Sequence, residues 1–272
     1  MSQSKIPELV CPAGSLPALK AAIDNGADVI YVGGEAFRPN RPWTLQDYAG
    51  IIAYAKGRTK VVINTPRTTM RRECGELEQF FTALNENDSL KADGIMVSNL
   101  GSLKLAKNLT QLPVQADISF NLFNHLAARF LKENGLTQAA ASYELSFEQL
   151  REIVENSELP IEVIIHGSYE SMICDHNIPA MSLPQFNELN DPEMLDRRYA
   201  LLDKSQEKHA IRIDQFGHLL ARGFYGSFCL PAKRMRTRRG VAEFFNQIRD
   251  HLLPHARINR RGCRIIQINR QS

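Results

Sequence analysis

The amino-acid sequence predicts an α/β protein whose main body is a TIM-type barrel of parallel strands. Seven short apolar, β-branched runs recur along residues 1–167, and segments with helical spacing of apolar residues lie between them. Such alternation predicts parallel strands joined by right-handed helical crossovers. An open doubly wound sheet is the alternative, but the chain has neither the G-x-G-x-x-G nor the Walker A motif that usually follows its first strand.

The predicted strands are short apolar, β-branched runs. They are Glu8 to Ala13, Asp28 to Gly33, Lys60 to Thr65, Asp93 to Ser98, Val114 to Phe120, Ala139 to Leu145 and Ile161 to Gly167. Near-continuous apolar runs of this kind are typical of parallel strands buried on both faces.

The predicted helices have recognisable starts. Ser15 followed by Pro17 opens the first, Thr44 caps the second, and Ser146 with Gln149 forms a capping-box pattern. Apolar residues at helical spacing support these segments: Leu16, Leu19, Ala22 and Ile23; Leu45, Tyr48, Ile51, Ile52 and Tyr54; Leu77, Phe80, Phe81 and Leu84; Leu122, Leu126, Phe130 and Leu131; Leu145, Leu150 and Ile153.

Closure of the barrel requires an eighth strand, for which the sequence offers two weak candidates, Ile211 to Ile213 and Cys263 to Ile268. A barrel that is incomplete at its C-terminus therefore stays an open alternative. We expect residues 1–176 to form the barrel core, residues 177–217 an excursion with a last family-like segment, and residues 218–272 a basic tail.

The composition is that of a globular protein, with 43% hydrophobic and 23% charged residues among 272. No apolar run is long enough to span a bilayer, and the first residues lack a signal-peptide pattern, so we expect a cytoplasmic protein without a membrane partner. The cysteines lack zinc-type spacing, and we predict reduced thiols and no metal site. They are Cys11, Cys74, Cys174, Cys229 and Cys263.

The net charge of +3 is distributed unevenly. Residues 217–272 contain eleven Arg and one Lys against one Glu and one Asp, a local charge of +10, which leaves −7 on residues 1–216. Clustered arginine can neutralise phosphates, so the tail is a candidate RNA-binding segment. The alternative is a solvated or non-native end, favoured by the absence of interleaved aromatic residues around Arg234 to Arg239.

The C-terminal ends of barrel strands form the face where TIM-barrel enzymes place their active sites. Glu35, Glu144 and His166 are the titratable residues expected there, and they are candidate catalytic groups for general acid–base chemistry. Each also has a structural alternative: Glu35 as a solvated loop charge, Glu144 as a helix-start residue, and His166 as a hydrogen-bonded group in the barrel mouth.

Four further residues are expected on the same face as substrate-binding groups. Asn64, Asn99 and Asn121 follow strand ends, and Trp43, the only tryptophan, precedes the second helix. The tryptophan ring has two interpretations, stacking on a substrate or packing against that helix.

Cys174 is the fourth candidate catalytic residue, and we expect it in a loop that follows the strand ending at His166-Gly167. A catalytic cysteine needs a base within hydrogen-bond reach. His166 is the expected partner, whereas His176 is close in sequence but need not face the thiol. The alternative is that Cys174 is a small buried apolar residue.

The opening segment, PELVCPAGSLPALKAAIDNGADVIYVGGEAF, closely resembles the first two βα units of the collagenase-like peptidases, peptidase family U32. The resemblance continues through VVINTP, ADGIMVSNLGSLKLAK, YELSFEQLREI and IEVIIHG, and covers about residues 7–176. Lys208 to Gly217 is similar to a further family segment. The resemblance implies a TIM-like barrel and a hydrolase acting on a peptide or protein substrate.

The same resemblance implies a second functional class, because some members of the family act in RNA hydroxylation or in ubiquinone synthesis and hold an iron-sulfur cluster through four cysteines. This chain departs from that pattern. The family typically places a cysteine near position 177, where this chain has Asn177, and it offers Cys174, Cys229 and Cys263 instead. An accessory protein for RNA or ubiquinone hydroxylation is therefore the alternative to a peptidase, and oligomerisation stays open.

The family pattern fades after Gly217, close to where arginine becomes abundant. Three explanations stay open: a truncated tail, a divergent tail, or a tail read in a shifted frame. Resequencing the locus in independent isolates tests the third, since an intact frame would eliminate it.

Overall fold

Seven parallel strands follow one another around a barrel with helices on the outside. The computed structural model describes residues 8–33, 43–67, 69–174, 199–202, 204–206, 208–213, 219–225 and 264–267. The barrel strands are β1 (Glu8–Pro12), β2 (Val29–Gly33), β3 (Lys60–Asn64), β4 (Gly94–Val97), β5 (Val114–Ala116), β6 (Gln138–Ala140) and the first part of β7 (Ile161–Cys174). Each of β1 to β6 pairs in parallel with the next strand in sequence.

Six α-helices connect these strands: α1 (Leu16–Asp24), α2 (Leu45–Ala55), α3 (Arg71–Glu86), α4 (Leu100–Leu109), α5 (His125–Glu133) and α6 (Phe147–Asn156). The predicted starts are confirmed. Ser15 accepts a hydrogen bond from the Ala18 amide, and Thr44 and Ser146 each form a capping box. These caps satisfy amide groups that a helix N-terminus leaves without intrahelical partners.

The ring of strands is completed by β11 (Arg264–Gln267), which pairs in parallel with both β1 and β7. The sequence candidate Cys263 to Ile268 is thereby confirmed as the eighth barrel strand. The other candidate, Ile211 to Ile213, belongs instead to β9 (Lys208–Ile213) in an antiparallel sheet.

The antiparallel sheet includes the C-terminal half of β7. Residues 167–174 of β7 pair antiparallel with β10 (Leu219–Tyr225), which in turn pairs with β9, and β9 pairs with β8 (Tyr199–Leu202). The prediction of a loop around Cys174 is therefore wrong, because the strand continues through residue 174 with cross-strand partners along its length.

Two predicted strands end earlier than their apolar runs suggest. The prediction Val114 to Phe120 stops as a strand at Ala116, because the Asp117 side chain accepts the Ser119 amide and turns residues 118–120 into a 3₁₀ helix. The prediction Ala139 to Leu145 stops at Ala140, followed by an isolated bridge from Ala141 to Leu122 and a turn.

The core has two layers that follow the alternation of side chains along each strand. Outward-facing residues such as Ile30, Ile63 and Ile95 pack with the helices in the larger cluster. The smaller cluster fills the barrel: Val10, Val29, Tyr31, Val62, Met96 and Ile164. No helix in the described part of the chain is long and apolar enough to cross a membrane.

Candidate functional site

Polar side chains converge where β3, β4 and β5 end, at the mouth of the barrel. Ser98, directly after β4, has its Oγ 2.8 Å from Asp117 Oδ2 and 3.2 Å from the Thr65 carbonyl oxygen, so its single proton lies between these two acceptors. Asp117 follows β5 and Thr65 follows β3. One buried hydroxyl thus ties together the ends of three neighbouring strands. We call Asn64, Arg67, Ser98 and Asp117 the mouth cluster.

Arg67 supplies the positive charge of the mouth cluster. Its Nε lies 3.8 Å from Asp117 Oδ2, and the two side chains are only 14% and 7% exposed. Burial raises the pKa of Asp117, while Arg67 and hydrogen bonds from Ser98 and Ser119 act in the opposite direction. Burial has the larger effect, so the ionised carboxylate is less stable at this site than it would be in water.

Asn64 ends β3 and is 8% exposed. It alternates with Ile63 and lies two residues after Val62 of the inner cluster, so its side chain belongs to the barrel face rather than the helix face. Its Oδ1 is buried and has no hydrogen-bond partner among the described residues. A buried acceptor without a donor is costly, so this atom favours a donor brought by water or a ligand.

Asn99, predicted to bind substrate, holds the mouth loop in place. Its Oδ1 accepts from the Ser102 amide at 2.9 Å and caps α4, while its Nδ2 donates to the Arg67 carbonyl at 3.1 Å and to Thr69 Oγ1 at 2.9 Å. These bonds position the backbone that carries Arg67. Substrate binding by Asn99 itself stays a prediction.

Asn121 and Trp43 lie away from the mouth cluster. Asn121 is exposed and adopts a left-handed backbone conformation with φ of 52° at the end of the 3₁₀ turn. Trp43 is half-buried, packs against the helix layer, and has its ring centroid 6.2 Å from that of Tyr48. The packing alternative for Trp43 is the one the contacts describe, and a substrate-binding role for either residue stays a prediction.

Of the three titratable residues predicted for this face, only Glu144 has a described side chain. Glu144 is exposed in the turn after β6, where its amide donates to Ser142 Oγ at 3.3 Å. His166 is described by its backbone, as the β7 residue in register with Gln267 of β11. Glu35 lies outside the described residues. Their catalytic roles stay predictions.

Cys174 and His166 occupy one continuous strand, eight residues apart. An extended strand rises about 3.3 Å per residue, so their backbones are separated by roughly 25 Å. This spacing argues against the expected hydrogen bond between this thiol and this imidazole. Cys174 itself is half-buried, with its backbone paired to Leu219, and its catalytic role stays a prediction.

A second polar group lies inside the barrel, below the mouth. The Tyr31 hydroxyl donates to Glu162 Oε2 and lies 3.3 Å from Gln115 Oε1, and Gln138 Nε2 donates to the same Glu162 oxygen at 2.6 Å. Glu162 is fully buried. We call these four residues the interior network; it links β2, β5, β6 and β7 across the barrel.

The sequence interpretation missed Arg67, Asp117 and the interior network. Period-two alternation contains a usable signal, because Gln115 and Asp117 share one face of β5 while Val114 and Ala116 share the other. Asp117 was missed because the predicted strand continues to residue 120, so no strand end is expected at residue 117. No comparable local signal marks Arg67, which reaches the site from the connection between β3 and α3.

The described cysteines do not fit a four-thiolate cluster. Cys11 faces the helix layer, is 6% exposed, and burial raises its pKa to about 12. Without Cys11, a four-cysteine cluster would need all four of the remaining cysteines. Yet Cys74 is on α3, after β3, and Cys174 is on β7, and the ring order places β3 and β7 on opposite sides of the barrel. The described residues contain no group of three metal-ligating side chains.

Comparison with known proteins gives a consistent family. The model of Peptidase family U32 matches residues 14–175. A tRNA hydroxylation protein P1 from Bacillus subtilis is 29% identical over 61% of this chain and 40% of its own length. An uncharacterized protease from Methanocaldococcus jannaschii is 32% identical over 59% and 40%. The 23S rRNA 5-hydroxycytidine C2501 synthase of Escherichia coli is 28% identical over 59% and 24%.

This chain therefore spans well under half the length of these curated relatives. Among solved structures, a U32 peptidase superposes with a TM-score of 0.49 at 16% identity, covering 61% of this chain and 71% of that one. The residues matched by the family model, 14–175, include the mouth cluster.

Proposed function

The chain belongs to peptidase family U32, and from that premise we propose that it binds RNA as a component of an RNA hydroxylation reaction. The observation that carries this proposal is the sequence similarity of the chain to relatives named for tRNA and rRNA hydroxylation. Because the chain spans only 24–40% of the length of these relatives, the proposal assigns it RNA binding within that reaction and leaves the hydroxylation step itself unassigned.

The chemistry of the mouth favours this function over peptide hydrolysis. Nucleophilic catalysis needs a hydroxyl or thiol beside a base that takes its proton. The Ser98 hydroxyl lies within hydrogen-bond distance of the Asp117 carboxylate and a backbone carbonyl, and no imidazole in the described part of the chain takes its single proton. Cys174 lies eight residues from His166 on the same strand. In the described residues, the mouth is thus arranged to hold a polar ligand.

The charge distribution of the sequence supports RNA as that ligand. Residues 217–272 carry a net charge of +10, and basic side chains that neutralise phosphates release counterions on binding. Affinity for RNA that falls steeply with salt is the expected signature.

The test is made in the organism that encodes the chain. Deleting the gene should remove one hydroxylated nucleoside from digested tRNA or rRNA, as measured by mass spectrometry, and the wild-type gene should restore it. Arg67→Ala should fail to restore it, whereas Arg58→Ala, which alters an exposed arginine paired with Asp24, should restore it fully. A nucleoside profile unchanged by the deletion would contradict the proposal.

Peptide hydrolysis is the second candidate, supported by a relative named as a protease. Purified protein that cleaves an unstructured peptide, with activity lost in Cys174→Ala or Glu144→Gln, would favour it. Cleavage combined with an unchanged nucleoside profile would replace RNA hydroxylation by proteolysis as the function.

A further inference from the structure

We propose that the protein forms a twofold-symmetric homodimer through the outer face of α5, with the two α5 helices parallel and α4 of each copy facing α6 of the other. This interaction surface is separate from the barrel mouth and does not depend on the proposed function.

The outer face of α5 carries large apolar side chains that are exposed to solvent. Leu126 and Phe130 are 59% and 57% exposed, and Phe123, just before the helix N-cap, is 43% exposed. Leu126 and Phe130 are four residues apart, so they lie together on one side of the helix, whereas Ala128 and Leu131 face the core. Apolar residues scattered singly over a surface are common, but a contiguous apolar patch is typical of an interaction surface.

Two contacts show which neighbour lies on each side of this patch. Lys107 of α4 donates through Nζ to the Asn134 carbonyl oxygen, just after α5, at 2.7 Å. Lys132 of α5 donates to Glu158, two residues after α6. α4 therefore borders one side of the patch and α6 the other, in agreement with the order of strands around the barrel. Lys107 and Glu158 both lie beside the last turn of α5.

The two neighbouring helices carry opposite charges. α4 has two lysines and no acidic residue, a charge of +2, whereas α6 has three glutamates and one arginine, a charge of −2. Lys104 precedes Lys107 by three residues, and Glu155 precedes Glu158 by three residues, so both lie about one turn back along their helices, and both are exposed. The apolar patch is thus flanked by a basic edge and an acidic edge.

This distribution of charge makes the surface complementary to itself, as an interface between two identical copies requires. A twofold axis along α5 places α4 of one copy over α6 of the other, so that Lys104 faces the partner's Glu155. An axis across α5 would place α4 over α4 and α6 over α6, where like charges repel. Along the first axis, Leu126 and Phe130 meet their own counterparts, which gives an interface with an apolar centre and a charged rim.

The experiment measures dimerisation of the full-length protein by sedimentation velocity over a series of protein concentrations. Phe130→Glu should raise the dissociation constant of the dimer by at least about thirty-fold, because it places a charge at the centre of the buried patch. Leu16→Glu is the matched control. Leu16 is 45% exposed on α1, which follows β1 and so lies across the barrel from α5, and its substitution should leave dimerisation unchanged. Thermal melting checks that both variants are folded.

Reversal of the rim charges tests the parallel orientation. Lys104→Glu and Glu155→Lys should each weaken the dimer about ten-fold, since a twofold dimer contains the pair twice and each reversal makes it repulsive. Combined in one chain, the two substitutions exchange the charges and should restore dimerisation to the wild-type level.

Wild-type protein that stays monomeric at its highest soluble concentration overturns the proposal. A dimer that Phe130→Glu leaves intact also overturns it, because the interface then lies elsewhere. A dimer that is lost in Phe130→Glu but not restored by the combined charge reversal supports the α5 face and overturns the parallel orientation. RNA hydroxylation is tested separately by the nucleoside profile, so failure of either proposal leaves the other in place.

Discussion

Ser98 Oγ lies 2.8 Å from Asp117 Oδ2 and donates to it, joining the ends of β4 and β5 beneath the barrel mouth. Both residues are buried, at 3% and 5% exposure. The hydrogen bond is one of the interactions that favour the ionised carboxylate against the effect of burial. Removing it therefore affects both the stability of the barrel and the electrostatics of the mouth cluster.

Replacing Ser98 with alanine should lower the free energy of unfolding by about 1–3 kcal/mol, because Asp117 loses a donor in a place that water does not reach. Urea denaturation measures the change. Thr82→Ala is the matched control, since it removes a hydroxyl that donates to the Glu78 carbonyl on an exposed helix face; its effect should stay within about 0.5 kcal/mol. Equal effects of the two substitutions would contradict the importance of the Ser98 bond.

The pKa of Asp117 predicts a pH dependence of stability. Burial raises this pKa above the value of about 3.9 typical of unfolded chains, so the folded state binds the proton more tightly. The resulting stability is present below the unfolded pKa and is lost as pH rises through the folded pKa. Wild type should therefore lose stability relative to Asp117→Asn as pH rises from about 3 to 7 in urea titrations.

Asp24 provides the control of opposite sign. A hydrogen bond from Arg58 lowers its pKa, so its contribution is present above the unfolded pKa and lost as pH falls through the folded pKa. Wild type should therefore gain stability relative to Asp24→Asn as pH rises in the same titration. Difference curves of the same sign for both variants would show that Asp117 titrates normally.

The interior network predicts a large effect of one hydroxyl. Tyr31→Phe leaves the Glu162 carboxylate without the donor that reaches it from β2, and should destabilise the protein by about 1–3 kcal/mol. Tyr54→Phe is the control, because its hydroxyl donates to Asp24 on the exposed surface at 3.2 Å. Equal melting temperatures for the two variants would show that the Glu162 interaction contributes no more than a surface contact.

Much of the fold was predictable because the signals are local. Every barrel strand except β6 contains β-branched residues, and the caps at Ser15, Thr44 and Ser146 have side chains that bond amides within three residues. Strand ends were less predictable. At β5 the pattern of apolar residues runs on, but the Asp117 side chain bonds to the backbone two residues later and ends the strand.

The site was less predictable because it depends on contacts between residues distant in sequence. Asn64 was correctly placed at a strand end, but its lack of a hydrogen-bond partner follows from packing that no local pattern specifies. Asn99 looked like a binding residue, yet its side chain bonds to Arg67 and Thr69, some thirty residues away. The antiparallel extension that contains Cys174 depends on pairing with β10, which lies more than forty residues further along the chain.

Cysteine reactivity tests the placement of the thiols. Burial raises the pKa of Cys11 to about 12 and shields it behind the helix layer, so iodoacetamide should leave Cys11 unmodified in the native protein. Cys74 and Cys174 are half-exposed and should react. Peptide mass spectrometry before and after unfolding identifies the modified residues. Native labelling of Cys11 as rapid as that of Cys74 would contradict its outward, buried position.

Closure of the barrel by β11 predicts that the end of the chain is needed for folding. Ending the chain at residue 259 removes the strand and exposes the hydrogen-bonding edges of β1 and β7, which β11 otherwise pairs on both sides. The shortened protein should melt at a lower temperature and form aggregates in size-exclusion chromatography. Ending it at residue 269 retains β11 and should leave both properties unchanged.

The two shortened chains, ending at residues 259 and 269, also test whether the basic tail has a structural role. A tail without a structural role could be removed at residue 259 with the same small effect as at residue 269. If β11 is part of the native fold, its removal should be strongly destabilising. Each residue from Arg264 to Ile266 is in register with partners on both β1 and β7. Ile265→Pro extends the test to full-length protein, since proline removes an amide from a central strand. Melting temperatures equal to wild type for both Ile265→Pro and the shorter chain would show that the barrel does not depend on β11.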